Sequence, residues 1–296
     1  MKLRDIFRRG EKKTKNEKAI ERQLRLERKD RKKEEKKRGK IVRKAKVALC
    51  LGGGGARGYA HIGAIKAFRE AGFDFDLVVG TSVGSIIGGL YAAGISPERM
   101  WSYGSLLEVK DIRKGFFFQP DDSRKIAKII TDLAGERNIE DLPKKFAAVA
   151  TDLVEGRQVI LDKGDLGTAV AASSTVPLAF RPLVVGEMHL VDGGLLNNIP
   201  ADVCRMLGAD YVVTVDVNPT RGGGTSELGI IPVLKATFDI MGSNASRDGL
   251  INSDVIVAPD LSAFRSSDKT GYEEMYRLGY EAAKAKINEI AEIFKR

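Results

Sequence analysis

Short apolar runs alternate with helix-like patterns through most of the chain. Val47–Leu51 and Leu77–Val79 are continuous apolar stretches, as expected for strands that are buried on both faces. Between them, the apolar positions of residues 59–68 recur with helical spacing, and the pattern stops at Gly72. A strand, a helix and a strand in this order predict a βαβ unit with two parallel strands.

The same alternation continues to the C-terminus. Apolar runs predict strands over Phe146–Leu153, Gln158–Leu161, Tyr211–Val217 and Asp254–Ala258, and a hairpin around Gly186. Helical spacing predicts helices from Ser96-Pro97, from the cap residue Ser123, over Asp165–Ser174, over Ala201–Leu207, from about Ile231, and as one long helix over Gly271–Lys295. Strands that alternate with helices indicate an α/β fold with a mainly parallel central sheet.

Residues 1–45 depart from this pattern and predict a basic, partly helical or disordered tail ahead of one domain at 46–296. Residues 1–46 contain 22 Lys or Arg and 8 Asp or Glu, a net charge of +14, whereas the whole chain carries +9. Residues 1–40 therefore suit either a solvated tail without a dedicated partner or an anionic membrane surface, and both interpretations stay open. Nucleic acid is disfavoured, because Phe7 is the only aromatic residue of the tail that could stack on a base.

The chain as a whole has 43% hydrophobic residues, which is the composition of a globular protein. No run of 18 apolar residues occurs, and the two cysteines, Cys50 and Cys204, stand in apolar patterns typical of reduced core residues. We expect a cytoplasmic protein, with peripheral association at the inner face of the membrane. No calcium loop or zinc spacing is present, so neither a metal nor a cofactor is expected.

The segment Gly80-Thr81-Ser82-Val83-Gly84 has the form of a nucleophile elbow. It follows the predicted strand at Leu77–Val79 and precedes a small-residue helix that ends at Gly94. A helix that begins at a serine directs its free amides at negative charge beside the hydroxyl, which favours acyl transfer. A small-residue helix start packed against a sheet is the structural alternative.

The glycine-rich loop after the first strand resembles two nucleotide-binding motifs in outline but departs from each at a required position. Gly53, Gly55 and Gly58 fit a dinucleotide fingerprint, but the next strand ends in Gly80-Thr81-Ser82 instead of the acidic residue that would hold a ribose. A Walker loop is excluded because Arg57-Gly58-Tyr59 stands where Gly-Lys-Ser/Thr is required. Residues without side chains let backbone amides approach an oxyanion, so the loop suits an oxyanion hole.

A hydrolytic serine needs a base, and the chain has only two histidines, His61 and His189. His61 falls in the helix after the glycine loop. Asp192 stands at a predicted strand end before Gly193-Gly194 and could take the proton of Ser82, particularly if burial raises its pKa. A triad of Ser82, His189 and Asp192 is the rival, although a three-residue spacing places His189 and Asp192 on opposite faces of a strand. A plain turn at Asp192 is the structural alternative.

Phe116-Phe117-Phe118 fits neither helical nor strand amphipathicity. Core filling, a lid over an apolar pocket and a lipid-contacting loop are the open interpretations.

Three motifs in order resemble those of the patatin-like phospholipases: Gly53-Gly54-Gly55-Ala56-Arg57-Gly58, Gly80-Thr81-Ser82-Val83-Gly84 and Asp192-Gly193-Gly194. The resemblance covers residues 46–258, and Ala172–Pro177 is similar to the family's Ala-Ser stretch near the acyl pocket. It implies a three-layer α/β/α fold and hydrolysis of lipid acyl esters by a Ser-Asp dyad. By resemblance, Ser82 is the nucleophile and Asp192 the base. The implied oxyanion hole and supporting motif residues are Gly53, Gly54 and Gly55, and Arg57, Gly58, Gly80, Gly84, Gly193 and Gly194.

We therefore expect a serine-dependent lipid acyl hydrolase, a phospholipase or esterase, with a lipid ester as substrate. The alternative is a membrane-surface or nucleic-acid binding module that works through the basic tail. A dinucleotide-dependent oxidoreductase is disfavoured by the missing acidic residue.

Overall fold

The computed structural model describes residues 45–104, 122–218, 229–266, 268 and 270–295. The predicted tail and the Phe116–Phe118 segment lie outside these residues. The described strands are β1 (Val47–Leu51), β2 (Leu77–Thr81), β3 (Lys145–Asp152), β4 (Arg157–Leu161), β5 (Leu183–Val185), β6 (Met188–Asp192), β7 (Tyr211–Val215) and β8 (Val255–Val257). They form one sheet in the order β5-β6-β3-β2-β1-β7-β8, with β4 also paired to β3.

The centre of the sheet is parallel, as the apolar runs predicted. β3, β2, β1, β7 and β8 pair in parallel, whereas β4 and β6 run antiparallel to β3, and β5 runs antiparallel to β6. The hairpin between β5 and β6 turns at Gly186, whose φ of 61° is one that glycine adopts without strain.

Strands β2 and β6 lie one after the other along the same edge of β3 and run in opposite directions. β4 occupies the opposite edge, where it pairs with Val149 and with Thr151. The other edge is occupied by β2, whose last residue Thr81 lies opposite Val149, and then by β6, whose last residue Asp192 lies opposite Ala150. The carboxyl ends of β2 and β6 therefore meet at neighbouring positions of β3.

Helices cover both faces of the sheet, which makes the fold a three-layer α/β/α arrangement as expected. Alternate β1 residues divide between two apolar cores: Leu49 and Leu51 belong to one, and Ala48 and Cys50 to the other. The described helices are α1 (Tyr59–Glu70), α2 (Val83–Ala92), α3 (Pro97–Ser102), α4 (Arg124–Ala134), α5 (Leu166–Ser173), α6 (Ala201–Met206), α7 (Ile230–Ala245), α8 (Arg247–Asn252), α9 (Tyr272–Lys284) and α10 (Ile287–Phe294). Within the described ranges, none of them combines the length and apolarity needed to cross a bilayer.

Two predicted details of the helices were wrong. The predicted long C-terminal helix is divided into α9 and α10. Between them the chain makes a turn in which the backbone amide of Lys286 donates a hydrogen bond to the carbonyl of Ala283. The turn allows Phe294 of α10 to stack on Phe73, with ring centroids 4.9 Å apart. At the start of α4, Ser123 makes no side-chain capping bond, and Asp122 accepts from a first-turn amide instead.

Helices α1 and α9 pack so closely that glycines are required at their contact. A Cβ on Gly63 would overlap the carbonyl oxygen of Tyr276, and a Cβ on Gly279 would overlap that of Ala60. Helix α1 follows the glycine loop directly, so this contact anchors one end of that loop.

We expect Gly279→Ala to lower the free energy of unfolding by about 1–3 kcal/mol, because the added methyl group overpacks the α1–α9 contact. Thermal unfolding of the purified protein measures the change. Gly242→Ala is the matched control: Gly242 also lies in a helix, but the nearest atom to its added Cβ is 3.6 Å away, so this change is expected to be neutral or stabilising by up to about 1 kcal/mol. Equal effects of the two substitutions would contradict the account.

Candidate active site

Ser82 stands at a strained turn between β2 and α2. Its φ of 54° and ψ of −129° are unusual for a residue with a side chain. The flanking glycines are required by close contacts, since a Cβ on Gly80 would overlap the carbonyl group of Gly84, and a Cβ on Gly84 would overlap that of Leu51. The local geometry is therefore that of a nucleophile elbow.

Three hydrogen bonds hold the elbow in place. The Ser82 amide donates to Ser173 Oγ at 3.0 Å, and Ser173 Oγ donates to the Val149 carbonyl at 2.6 Å. Ser85 Oγ donates to the Ser82 carbonyl at 2.7 Å. Ser173, at the end of α5, thus joins the serine backbone to the β3 residue beside which β2 ends.

Asp192 reaches Ser82 because β6 ends at the same edge of β3. Its carboxylate accepts a hydrogen bond from the Gly194 amide, whose nitrogen is 2.8 Å from Oδ1, and it lies close enough to the Ser82 side chain for that side chain to favour the ionised carboxylate. A Cβ on Gly193 would overlap the Val149 carbonyl, so the chain can leave β6 here only through glycine. The structure brings together the two residues that the sequence selected as nucleophile and base.

Burial raises the pKa of Asp192 from 3.8 to about 6. The Ser82 side chain and the hydrogen bond from the Gly194 amide oppose this rise, since they stabilise the ionised carboxylate. A carboxylate with a pKa near 6 is ionised at neutral pH and is a stronger base than an exposed aspartate.

The carbonyl groups of the glycine loop are bonded to fixed donors. His61 Nε2 lies 2.8 Å from the Gly52 carbonyl, Asn218 Nδ2 donates to the Gly53 carbonyl at 2.6 Å, and the Arg57 amide donates to the Gly54 carbonyl at 3.3 Å. These bonds fix the orientation of successive peptide groups.

The backbone amides of the glycine loop differ in whether they donate a hydrogen bond to another described residue; those that do not are called open. The Gly53 amide donates to the Asn198 carbonyl at 3.0 Å, so this member of the predicted trio is already engaged. No acceptor for the amides of Gly54 and Gly55 occurs among the described residues. The loop lies against the elbow, because a Cβ on Gly53 would be only 3.2 Å from Ser82 Cβ. Gly54 and Gly55 are thus the two predicted oxyanion-hole residues whose amides remain open.

Arg57 and Gly58 have structural contacts in this fold. Arg57 donates to the Phe264 carbonyl through Nε at 3.2 Å and to Asn218 Oδ1 through Nη1 at 3.4 Å. A Cβ on Gly58 would overlap the Val83 side chain at the start of α2. Both residues help to place the glycine loop beside the elbow.

The two histidines take different places. His61 is fully buried in α1, and burial lowers its pKa to about 4, so its ring is neutral and can donate Nε2–H to the Gly52 carbonyl. His189 is exposed on β6, and within the described residues no hydrogen bond connects its ring with Ser82 or Asp192. Of the two residues considered as the base, the structure thus places Asp192 beside Ser82.

Asn198 and Asn218 were not singled out from the sequence, although both contact the glycine loop. Asn218 follows β7 at the carboxyl edge of the sheet, where α/β proteins place their binding residues. Its position after a predicted strand is the feature of the sequence that could have identified it as a site residue. Among the described residues, no group of three or more His, Cys, Asp or Glu side chains is placed to hold a metal ion.

A strained serine elbow on an α/β sheet, beside a buried aspartate, is a geometry that many hydrolases use. A family model described as patatin-like phospholipase matches residues 49–205, more than half of the chain. The chain belongs to this family, as its motifs indicated, and the family supports a lipid hydrolase.

Individual relatives cover parts of the chain. An uncharacterized NTE family protein of Mycobacterium tuberculosis is 38% identical over 185 residues, which are 60% of this chain and 51% of the relative. The human patatin-like phospholipase domain-containing protein 6 is 40% identical over 185 residues, or 58% of this chain and 13% of that protein. The chain thus spans about half of the mycobacterial relative and a much smaller part of the human one. The crystal structure of VipD from Legionella pneumophila shares the fold, with a TM-score of 0.58 and 14% identity over 83% of this chain and 67% of that one.

We expect Ser173→Ala to slow the labelling of Ser82 by a fluorophosphonate probe about tenfold, because the Ser82 amide loses the acceptor that holds its strained backbone. The rate of labelling measures the effect. Thermal unfolding checks that both proteins are fully folded at the temperature of the assay. Ser253→Ala is the control, since Ser253 is also buried and also donates to a main-chain carbonyl, that of Gly249. Unchanged labelling in Ser173→Ala, or an equal loss in Ser253→Ala, would count against a role for Ser173 at the elbow.

Proposed function

We propose that this protein hydrolyses acyl esters of lipids with Ser82 as nucleophile and Asp192 as general base. The observation that carries the proposal is the placement of the strained Ser82 beside the buried Asp192, at the point where β2 and β6 end against β3. A serine hydroxyl in contact with a carboxylate of raised pKa can lose its proton as it attacks a carbonyl carbon.

In the acylation half of the reaction, Asp192 accepts the proton of Ser82 Oγ while Oγ forms a bond to the ester carbon. The carbonyl oxygen becomes an oxyanion, which the open amides of Gly54 and Gly55 stabilise. Each donor of this kind contributes about 3–4 kcal/mol in the transition state. The tetrahedral intermediate then expels the alcohol, which takes the proton from Asp192 and leaves an acyl-enzyme.

In the deacylation half, Asp192 removes a proton from a water molecule that attacks the acyl carbon. The same two amides stabilise the second oxyanion. Ser82 Oγ is the leaving group and recovers its proton from Asp192, and the fatty acid departs. No step of this proposed reaction requires a metal or a cofactor.

Exposed apolar side chains near the site support a lipid as substrate. Val176 and Leu178 follow Ser173 in the chain, Leu196 follows the turn after Asp192, and all three are more than two-fifths exposed. Exposed apolar side chains that adjoin the site residues in the chain suit an acyl chain better than a polar substrate. The basic residues 1–40 would add attraction to anionic lipid at the cytoplasmic face of a membrane.

Ser82→Ala and Asp192→Asn are each expected to lower the rate of ester hydrolysis by at least about a thousandfold, because the nucleophile or its base is lost. Hydrolysis of a short-chain ester and of phospholipid vesicles, together with fluorophosphonate labelling mapped to Ser82, measures the loss. His189→Ala is the control and should retain the activity of the unaltered protein. Full activity in either dyad variant would refute the proposal, and an inactive His189→Ala would instead support the triad.

Asp192→Asn is also expected to unfold with a higher free energy than the unaltered protein at pH 8, by up to about 3 kcal/mol. The folded state holds the Asp192 proton more tightly than the unfolded state, so ionisation of this group between pH 4 and 6 lowers stability as the pH rises. The asparagine cannot ionise, and the difference between the two proteins should vanish near pH 4. Urea unfolding at pH 4, 6 and 8 tests this, and a difference independent of pH would contradict it.

A further inference from the structure

The side chain of Asn218 has a fixed orientation, because each of its polar ends has a partner. Arg57 can only donate hydrogen bonds, so its contact with Asn218 identifies the oxygen end of the amide at 3.4 Å. The nitrogen end therefore faces the Gly53 carbonyl, at 2.6 Å. The Asn218 backbone is held as well, since its amide donates to Asp216 Oδ1 at 2.9 Å.

The bond from Asn218 determines where the Gly54 amide points. The peptide group between Gly53 and Gly54 is trans, so its carbonyl and its N–H point in opposite directions. Asn218 holds the carbonyl, and the Gly54 N–H consequently points away from Asn218.

Sheet order shows what lies on that opposite side. β1 stands between β7 and β2, so the glycine loop after β1 has the segment after β7 on one flank and the segment after β2 on the other. Asn218 belongs to the first flank and Ser82 to the second. An N–H that points away from Asn218 thus points towards the flank of the nucleophile.

The bond also changes the strength of the Gly54 donor. A peptide group whose carbonyl accepts a hydrogen bond is polarised, and its N–H becomes a better donor. The fit between the two segments is close, since a Cβ on Gly54 would be 2.5 Å from Val217 Cγ2. Rotation of the Gly53–Gly54 peptide would break the Asn218 bond and turn the carbonyl oxygen towards the developing oxyanion.

We propose that Asn218 is a positioning residue of the oxyanion hole, which aims and polarises the Gly54 amide without contacting the substrate. This inference rests on the proposed function, because it assigns a role within the same hydrolytic site. Asn218 thereby acts on the transition state, in which the oxyanion exists, and leaves binding of the uncharged ester unaltered.

The test is Asn218→Asp, which preserves the size of the side chain and its contact with Arg57 but removes the donor to the Gly53 carbonyl. We expect kcat for a soluble ester to fall about 10- to 100-fold with KM changed less than about twofold. The inhibition constant of a trifluoromethyl ketone, which forms a charged tetrahedral adduct with serine, should rise by the same factor as kcat falls. Asn218→Ala removes the donor without adding a charge, so it serves if the aspartate variant does not fold.

Asn252→Asp is the matched control, because Asn252 is a half-buried residue at the end of α8 whose side chain also donates to a main-chain carbonyl, that of Asp248. It should leave kcat, KM and the inhibition constant unchanged. The proposal is overturned if folded Asn218 variants retain full kcat, or if KM rises while the inhibition constant stays constant. If Ser82→Ala retains activity, the proposed function fails first; if Ser82→Ala is inactive while Asn218→Asp is fully active, only the role of Asn218 fails.

Discussion

The site depends on the way in which β3 is paired. One edge of this strand is occupied by β2 as far as Val149 and by β6 from Ala150 onwards, so two chain segments end against each other at adjacent positions. Backbone hydrogen bonds set this register. The positions of the site residues therefore follow from the strand pairing and not from contacts between their own side chains. Ser173 reinforces the junction, because its hydroxyl bonds both the elbow and Val149.

Two unfavourable features are concentrated at this junction. The positive φ of Ser82 costs about 1–3 kcal/mol, and the buried Asp192 resists ionisation, as its pKa of about 6 shows. Both are maintained by their surroundings, since apolar cores lie on both faces of the sheet and short hydrogen bonds hold the backbone on each side of the serine. Strain and burial of this kind are typical of catalytic sites, where groups are held ready for reaction at the expense of stability.

The sequence predicted the parts of the site that depend on local patterns. Glycines flanking Ser82, the glycines after Val47–Leu51 and the Asp192-Gly193-Gly194 turn all reflect close contacts with neighbouring backbone or side-chain atoms, and such contacts leave a clear mark on residue choice. The antiparallel pairing of β6 with β3 leaves no such mark, because it depends on contacts distant in sequence. For the same reason, the engagement of the Gly53 amide by Asn198 and the turn at Lys286 could not be read from periodicity.

The pairing of β2 and β6 along one strand also bears on when the protein becomes reactive. Ser82 is synthesised long before Asp192, and the contact between them forms only after the chain has folded β6 back onto β3. Long-range strand pairings of this kind form slowly. Under the proposed mechanism, a nascent or partly folded chain therefore carries the serine without its base, and ester hydrolysis begins only once β6 has paired with β3.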